Sequence, residues 1–168
     1  MATVQIREAG VERLAEVEAL WLAMHAHHAS LSQSVAPVRP PAESWRRRRA
    51  QYASWLQEGD ARLLIAEEGG RATGYAMLRI VPGPPTWDIG ERLLEVESLS
   101  VAEDARGRRV GAQLMEAARR AATEAEARRL AVGVAQANEG ALRFYAREGF
   151  RPFYVELLSD GSREGERP

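Results

Sequence analysis

The apolar positions of this chain change period several times, and each change marks an element. Val4 to Arg7 alternates apolar and polar residues, the period of a strand with one buried face. From Val11 to His28 the spacing switches to three or four: Leu14, Val17, Trp21 and Met24 predict a helix with one buried stripe. Ser30 to Pro41 holds three prolines, each of which fixes φ and removes a donor, so it reads as irregular. A second helix is expected from Ala42 to Glu58. Ala61 to Glu67 and Arg71 to Val81 are strand-like runs around Glu68-Gly69-Gly70, the turn chemistry of an antiparallel hairpin. Pro82-Gly83-Pro84-Pro85 cannot continue a central strand and marks a loop before a fourth strand, Leu93 to Val101.

Beyond Val101 the pattern becomes informative about chemistry. A basic turn, Arg106-Gly107-Arg108-Arg109, leads into a helix that keeps Val110, Leu114, Ala117, Ala121 and Ala125 on one face, with Glu116 and Arg120 paired on the other. The first N–H groups of a helix lack intrahelical partners and carry the positive end of its dipole, so this junction is fit to hold an anion such as a pyrophosphate. Gly107 and Gly111 would let the backbone approach it; an ordinary strand-to-helix connection has similar turn residues. Leu130 to Val134 reads as a short buried strand, Asn138 to Gly149 as a helix from an asparagine cap to a glycine stop, and Phe150 to Leu158 as a last strand. Neither a repeat nor a linker divides the chain. Residues 1–158 are expected to form one domain, with 159–168 a polar tail.

Composition narrows the classes. With 45% hydrophobic and 28% charged residues the 168-residue chain has the make-up of a globular domain. A net charge of −1 supplies no basic field for nucleic acid. No apolar run approaches the roughly 20 residues of a membrane span, and the N-terminus has no signal-peptide core, so the expected location is cytoplasmic. Cysteine is absent, which excludes disulfides, thiolate metal sites and a covalent cysteine intermediate. His25, His27 and His28 crowd one helix end without an i,i+4 pair or acidic partner, and a metal is not expected there. Trp45, Tyr52 and Trp55 share helical spacing with the run Arg46 to Arg49; the aromatics are expected in the core and the arginines in water. No G-x-G-x-x-G follows the first strand, which disfavours a dinucleotide-binding oxidoreductase.

Two segments together resemble the GCN5-related N-acetyltransferase (GNAT) family. On its pattern V-x-x-x-x-[RQ]-x-x-G-x-[GA] lie Val101, Arg106 and a closing Gly111 or Ala112, while Arg109 stands where family members usually have a glycine. On N-x-x-A-x-x-F-Y-x-x-x-G-F lie Asn138, Ala141, Phe144, Tyr145, Gly149 and Phe150, a match at every fixed position. The resemblance covers residues 91 to 157. It implies an α/β (mixed α+β) fold: a mostly antiparallel sheet of six to seven strands, about four flanking helices, and a splay between strands 4 and 5. It further implies acetyl transfer from acetyl-CoA to a primary amine of a small molecule or protein, by direct attack in a ternary complex and without a metal. A non-catalytic acyl-CoA-binding or regulatory domain is the alternative.

The resemblance also assigns roles. Pantetheine would pair with the strand edge at Leu99, Ser100 and Val101, and the pyrophosphate with N–H groups of Arg106, Gly107, Arg108, Arg109, Val110, Gly111 and Ala112. Asn138 would cap its helix or reach the pantetheine. Tyr145 falls on the general acid of many members, and a phenol with pKa near ~10 can protonate a departing thiolate. Glu97, in Glu97-Ser98-Leu99-Ser100-Val101, is the candidate base, with Glu95 as competitor because alternation puts it on the same face. Either could instead be a surface carboxylate, and Tyr145 a core aromatic. An exposed edge near the last strand makes a homodimer conceivable.

Overall fold

The computed structural model describes residues 3–31 and 37–159. Strands β1 (Gln5–Ala9), β2 (Ala61–Glu68), β3 (Arg71–Pro82), β4 (Arg92–Val101) and β5 (Arg129–Val132) form a sheet in the order β1-β2-β3-β4-β5. The first three pairings are antiparallel and β4 with β5 is parallel. Helices α1 (Glu18–Leu31) and α2 (Pro41–Glu58) cover one face, and α3 (Val110–Glu124) with α4 (Glu139–Arg147) the other. The apolar runs of β2 and β3 are continuous because both faces are covered. Leu63, Ile65, Tyr75 and Met77 pack beneath α1 and α2, while Leu64, Ala66, Ala76 and Leu78 pack beneath α3.

Most predicted elements appear, and the departures have physical reasons. Residues Val11–Val17 form a 3-10 helix before α1 begins at Glu18, although Leu14, Val17 and Trp21 are all buried as their spacing predicted. Ser30 and Leu31 still belong to α1, and Pro41 opens α2 from the first-turn position where a missing N–H costs nothing. Positions 32–36 of the expected irregular segment, and 160–168 of the tail, lie outside the described residues.

The sheet has five strands among the described residues, fewer than six or seven, and Phe150 to Leu158 forms none of them. Pro152 removes a donor at the start of that segment, and β5 stops after four residues at Val132, which leaves little edge to pair with. Phe150 still anchors in the core, 5.3 Å from the ring of Tyr145. Phe153 meets the exposed Trp87 edge-on at 5.4 Å, and the apolar side chains from Tyr154 to Leu158 are exposed.

Candidate functional site

The site grows out of a mismatch in strand length. β5 follows β4 from Leu93↔Arg129 to Val96↔Val132 and then ends, while β4 runs five residues further, to Val101. At the divergence β4 carries a bulge: Met77 faces Ser98 and Leu78 faces Val96, so Glu97 is the extra residue. Its signature is in the sequence, where the apolar residues Leu94, Val96, Leu99 and Val101 jump from a spacing of two to three across Glu97. The bulge turns Glu97 and Ser98 toward α2, and it keeps Leu99 and Val101 packed on the α3 side.

Backbone direction follows from one hydrogen bond. The Ala102 N–H donates to Thr73 O (2.9 Å), so alternate residues of this half of β4 bond to β3. The main-chain groups of Leu99 and Val101 therefore point the other way, where β5 has ended. The Val101 carbonyl accepts a long hydrogen bond from Arg106 Nε (3.4 Å).

The basic turn is braced from below by two ion pairs, Arg108 with Glu68 and Arg71 with Asp104, which tie it to the tip of the β2–β3 hairpin. Nothing in the local pattern indicated that the hairpin supports this turn. Gly107 has φ +74° and open space around its Cα, as a backbone exposed to a ligand requires. At Gly111 a Cβ would lie 3.2 Å from the Phe144 ring, so its small size lets α4 close against α3.

Helix α3 starts with no side-chain cap and no acidic residue in its first turn. Its first main-chain bond is Gln113 N–H to Arg109 O (3.0 Å), which leaves the preceding amides without helical partners.

Arg109 is exposed and left-handed, with φ +65°. This conformation costs a non-glycine residue about 1 kcal/mol or more. Arg109→Gly is accordingly expected to raise the melting temperature by about 2–4 °C for a chain of this size. A lower melting temperature in a thermal scan would refute that account.

Glu97 sits at the edge of the α2 side and forms an ion pair with Arg48. Burial pushes its carboxyl above the usual range, the Arg48 guanidinium opposes this, and the charge of Glu95 adds to the rise. Arg48 is the exception to the solvated arginine run. It lies three residues after Trp45 and four before Tyr52, on the face those two buried aromatics share, and that spacing was the available signal. Beside the pair, the hydroxyls of Tyr52 and Ser98 are 2.6 Å apart, and Ser100 Oγ donates to Leu20 O of α1 (2.9 Å).

Tyr145 packs between Phe144 (5.0 Å) and Phe150 (5.3 Å). Its hydroxyl has no hydrogen bond among the described residues, and burial alone pushes its pKa up to about 12. Asn138 caps α4 by accepting from the Ala141 N–H (3.1 Å). His27 Nε2 comes within 3.4 Å of the same Asn138 oxygen, so the end of α1 meets the start of α4. His25 is buried against Arg39 O (2.9 Å), and the three histidines do not converge on one point.

Comparison with known proteins agrees with this architecture. An uncharacterized N-acetyltransferase of Mycobacterium bovis is 33% identical over 102 residues, 61% of this chain and 60% of that protein. A protein of the same description in Mycobacterium tuberculosis matches equally well. The match thus spans less than two thirds of the length of these relatives. Among solved structures, a GCN5-related N-acetyltransferase from Ralstonia eutropha superposes with a TM-score of 0.76 at 19% identity, covering 95% of this chain and 100% of that one. The aminoglycoside N-acetyltransferase AAC(6')-Iy in complex with CoA gives 0.72 at 19% identity, with 95% of each chain covered. No helix among the described residues is long and apolar enough to cross a membrane. The Acetyltransferase (GNAT) family pattern matches residues 12–150, and the chain belongs to that family.

Proposed function

We propose that this protein is an N-acetyltransferase that uses acetyl-CoA and holds donor and amine together while the acyl group moves between them. The observation that carries this reading is the continuity of two unfilled backbone surfaces. The β4 edge at Leu99 and Val101 has lost its neighbour, and it runs directly into the uncapped start of α3. An amide-bearing arm can pair with a strand edge, and a pyrophosphate with helix N–H groups, so the residues present fit coenzyme A. The fold resembles structures described with CoA and with acetyl-CoA, the latter from Clostridium acetobutylicum at a TM-score of 0.73.

Acetyl-CoA would supply the activated acyl group. The chain's own residues would then handle protons. Ionised Glu97 accepts a proton from the incoming ammonium, directly or through one water, because an alkyl amine with pKa near ~10.4 is mostly unreactive at neutral pH. The free amine would attack the thioester carbonyl, its C–N bond forming as the C–S bond breaks; Tyr145 would give its phenol proton to the departing thiolate and be restored by the proton that the nitrogen sheds on becoming an amide. Asn138 caps α4, the helix that carries Tyr145.

Acetyl-CoA at a hundredfold over its Kd is expected to stabilise the protein by about 2.7 kcal/mol, read as a rise in melting temperature. Thiol release should then depend on an added amine. A melting temperature that does not respond to acetyl-CoA would remove this reading. A response without thiol release for any amine would favour a domain that binds acyl-CoA without turning it over.

A further inference from the structure

We propose that Arg79 reads an anionic group on the acceptor, so that the preferred substrates are amines that also carry a carboxylate, as amino acids do. The inference rests on the acetyltransferase reading above and concerns the acceptor half of the same cleft.

Arg79 on β3 lies directly opposite Glu95 on β4. Its guanidinium carbon sits 4.4 Å from the ring centroid of Trp55, a residue of α2, which places the group on the Glu97 side of the sheet. Two opposite charges on facing residues of one sheet ordinarily close on each other. Here they do not. Neither Arg79 nor Glu95 has an ion-pair or hydrogen-bond partner among the described residues, and Arg79 Nε is buried without any acceptor. The contrast with Arg48, which is closed onto Glu97, is direct.

A guanidinium stacked on an indole keeps few of its rotamers, so its planar fork is ready for a planar, two-oxygen partner at little further entropic cost. The Nε that lacks an acceptor belongs to one edge of that fork, and a bidentate carboxylate satisfies such an edge. Arg79 is also near enough to act on the charge of Glu97. A substrate that gave its amine to Glu97 and its carboxylate to Arg79 would therefore fill both ends of one short span. The unpaired Glu95 beside them favours a zwitterion over a purely anionic ligand.

The test uses the full chain with acetyl-CoA and matched acceptors: α-amino acids and ω-amino acids of two to six carbons, each against its own carboxamide. The acids should show a KM about tenfold or more below that of the amides, the scale of one charge-assisted pair. Arg79→Gln should raise KM for the acids to the amide value; the loss of a cation near Glu97 acts on acids and amides alike, so the acid-to-amide KM ratio, measured on the pH plateau of each protein, is the readout. Arg79→Lys keeps a cation on Trp55 without the fork; it should fold as the parent does and retain only part of the preference. Amides used as well as acids by the unmodified protein, or discrimination that survives Arg79→Gln, would overturn the proposal while leaving the acetyltransferase reading intact. No thiol release with any amine would remove both.

Discussion

Tyr145→Phe is expected to lower kcat about a hundredfold, the lower end of what a positioned acid contributes, with the acetyl-CoA-dependent rise in melting temperature unchanged. The substitution deletes one oxygen and keeps the ring, so its edge contacts with Phe144 and Phe150 survive. A hydroxyl retained for structure would have a partner in the protein; this one has no hydrogen bond among the described residues. Its removal breaks no hydrogen bond within the protein and should therefore change stability little. The phenol is protonated at neutral pH, as an ordinary phenol is, and burial, which pushes its pKa up to about 12, makes it the weaker acid of the two. Full turnover in the phenylalanine variant would remove Tyr145 from the mechanism. A large loss of stability would mark it as structural.

Glu97→Gln should be of similar size, about a hundredfold in kcat near neutral pH, and should also abolish the acidic limb of the pH–rate profile. A base must be ionised, so activity falls as pH drops through the Glu97 pKa. Burial raises that pKa and Arg48 lowers it. In Arg48→Gln the opposing charge is gone, so the acidic limb should move to higher pH while the activity at high pH recovers. Measuring kcat/KM from pH 5 to 9 in both variants decides the matter. A limb that stays in place without Arg48, or persists without Glu97, belongs to another group, and Glu95 is the next carboxylate to replace.

Much of this architecture is written locally. The hairpin turn at Gly69-Gly70, the stripe of α3 and the asparagine cap of α4 each depend on residues within a few positions of one another, and each is present. What escaped depends on partners distant in sequence. Phe150 to Leu158 is rich in aromatic and aliphatic residues, as strands are, but a strand exists only against an edge, and whether β5 offers one cannot be read from the segment itself. Arg48 looks like one more surface arginine until the sheet brings Glu97 beneath it, 49 residues away. The packing role of Gly111 could not be read from its own segment, because it depends on Phe144, 33 residues on. The bulge at Glu97 could have been read from the spacing of Val96 and Leu99, since a phase jump is a local signal even though its purpose is not.

The early end of β5 also has a kinetic side. In a sheet of equal strands, a ligand that paired with β4 would first have to pull a neighbour away, and association would wait on that opening. Among the described residues no strand pairs with β4 beyond Val96 on this side, because β5 stops five residues short of its neighbour's reach. No main-chain bond between strands must break for a ligand to enter. The encounter is then limited by diffusion and by the field of Arg106 and Arg109 at its mouth, so the association rate should fall with added salt more than the dissociation rate changes.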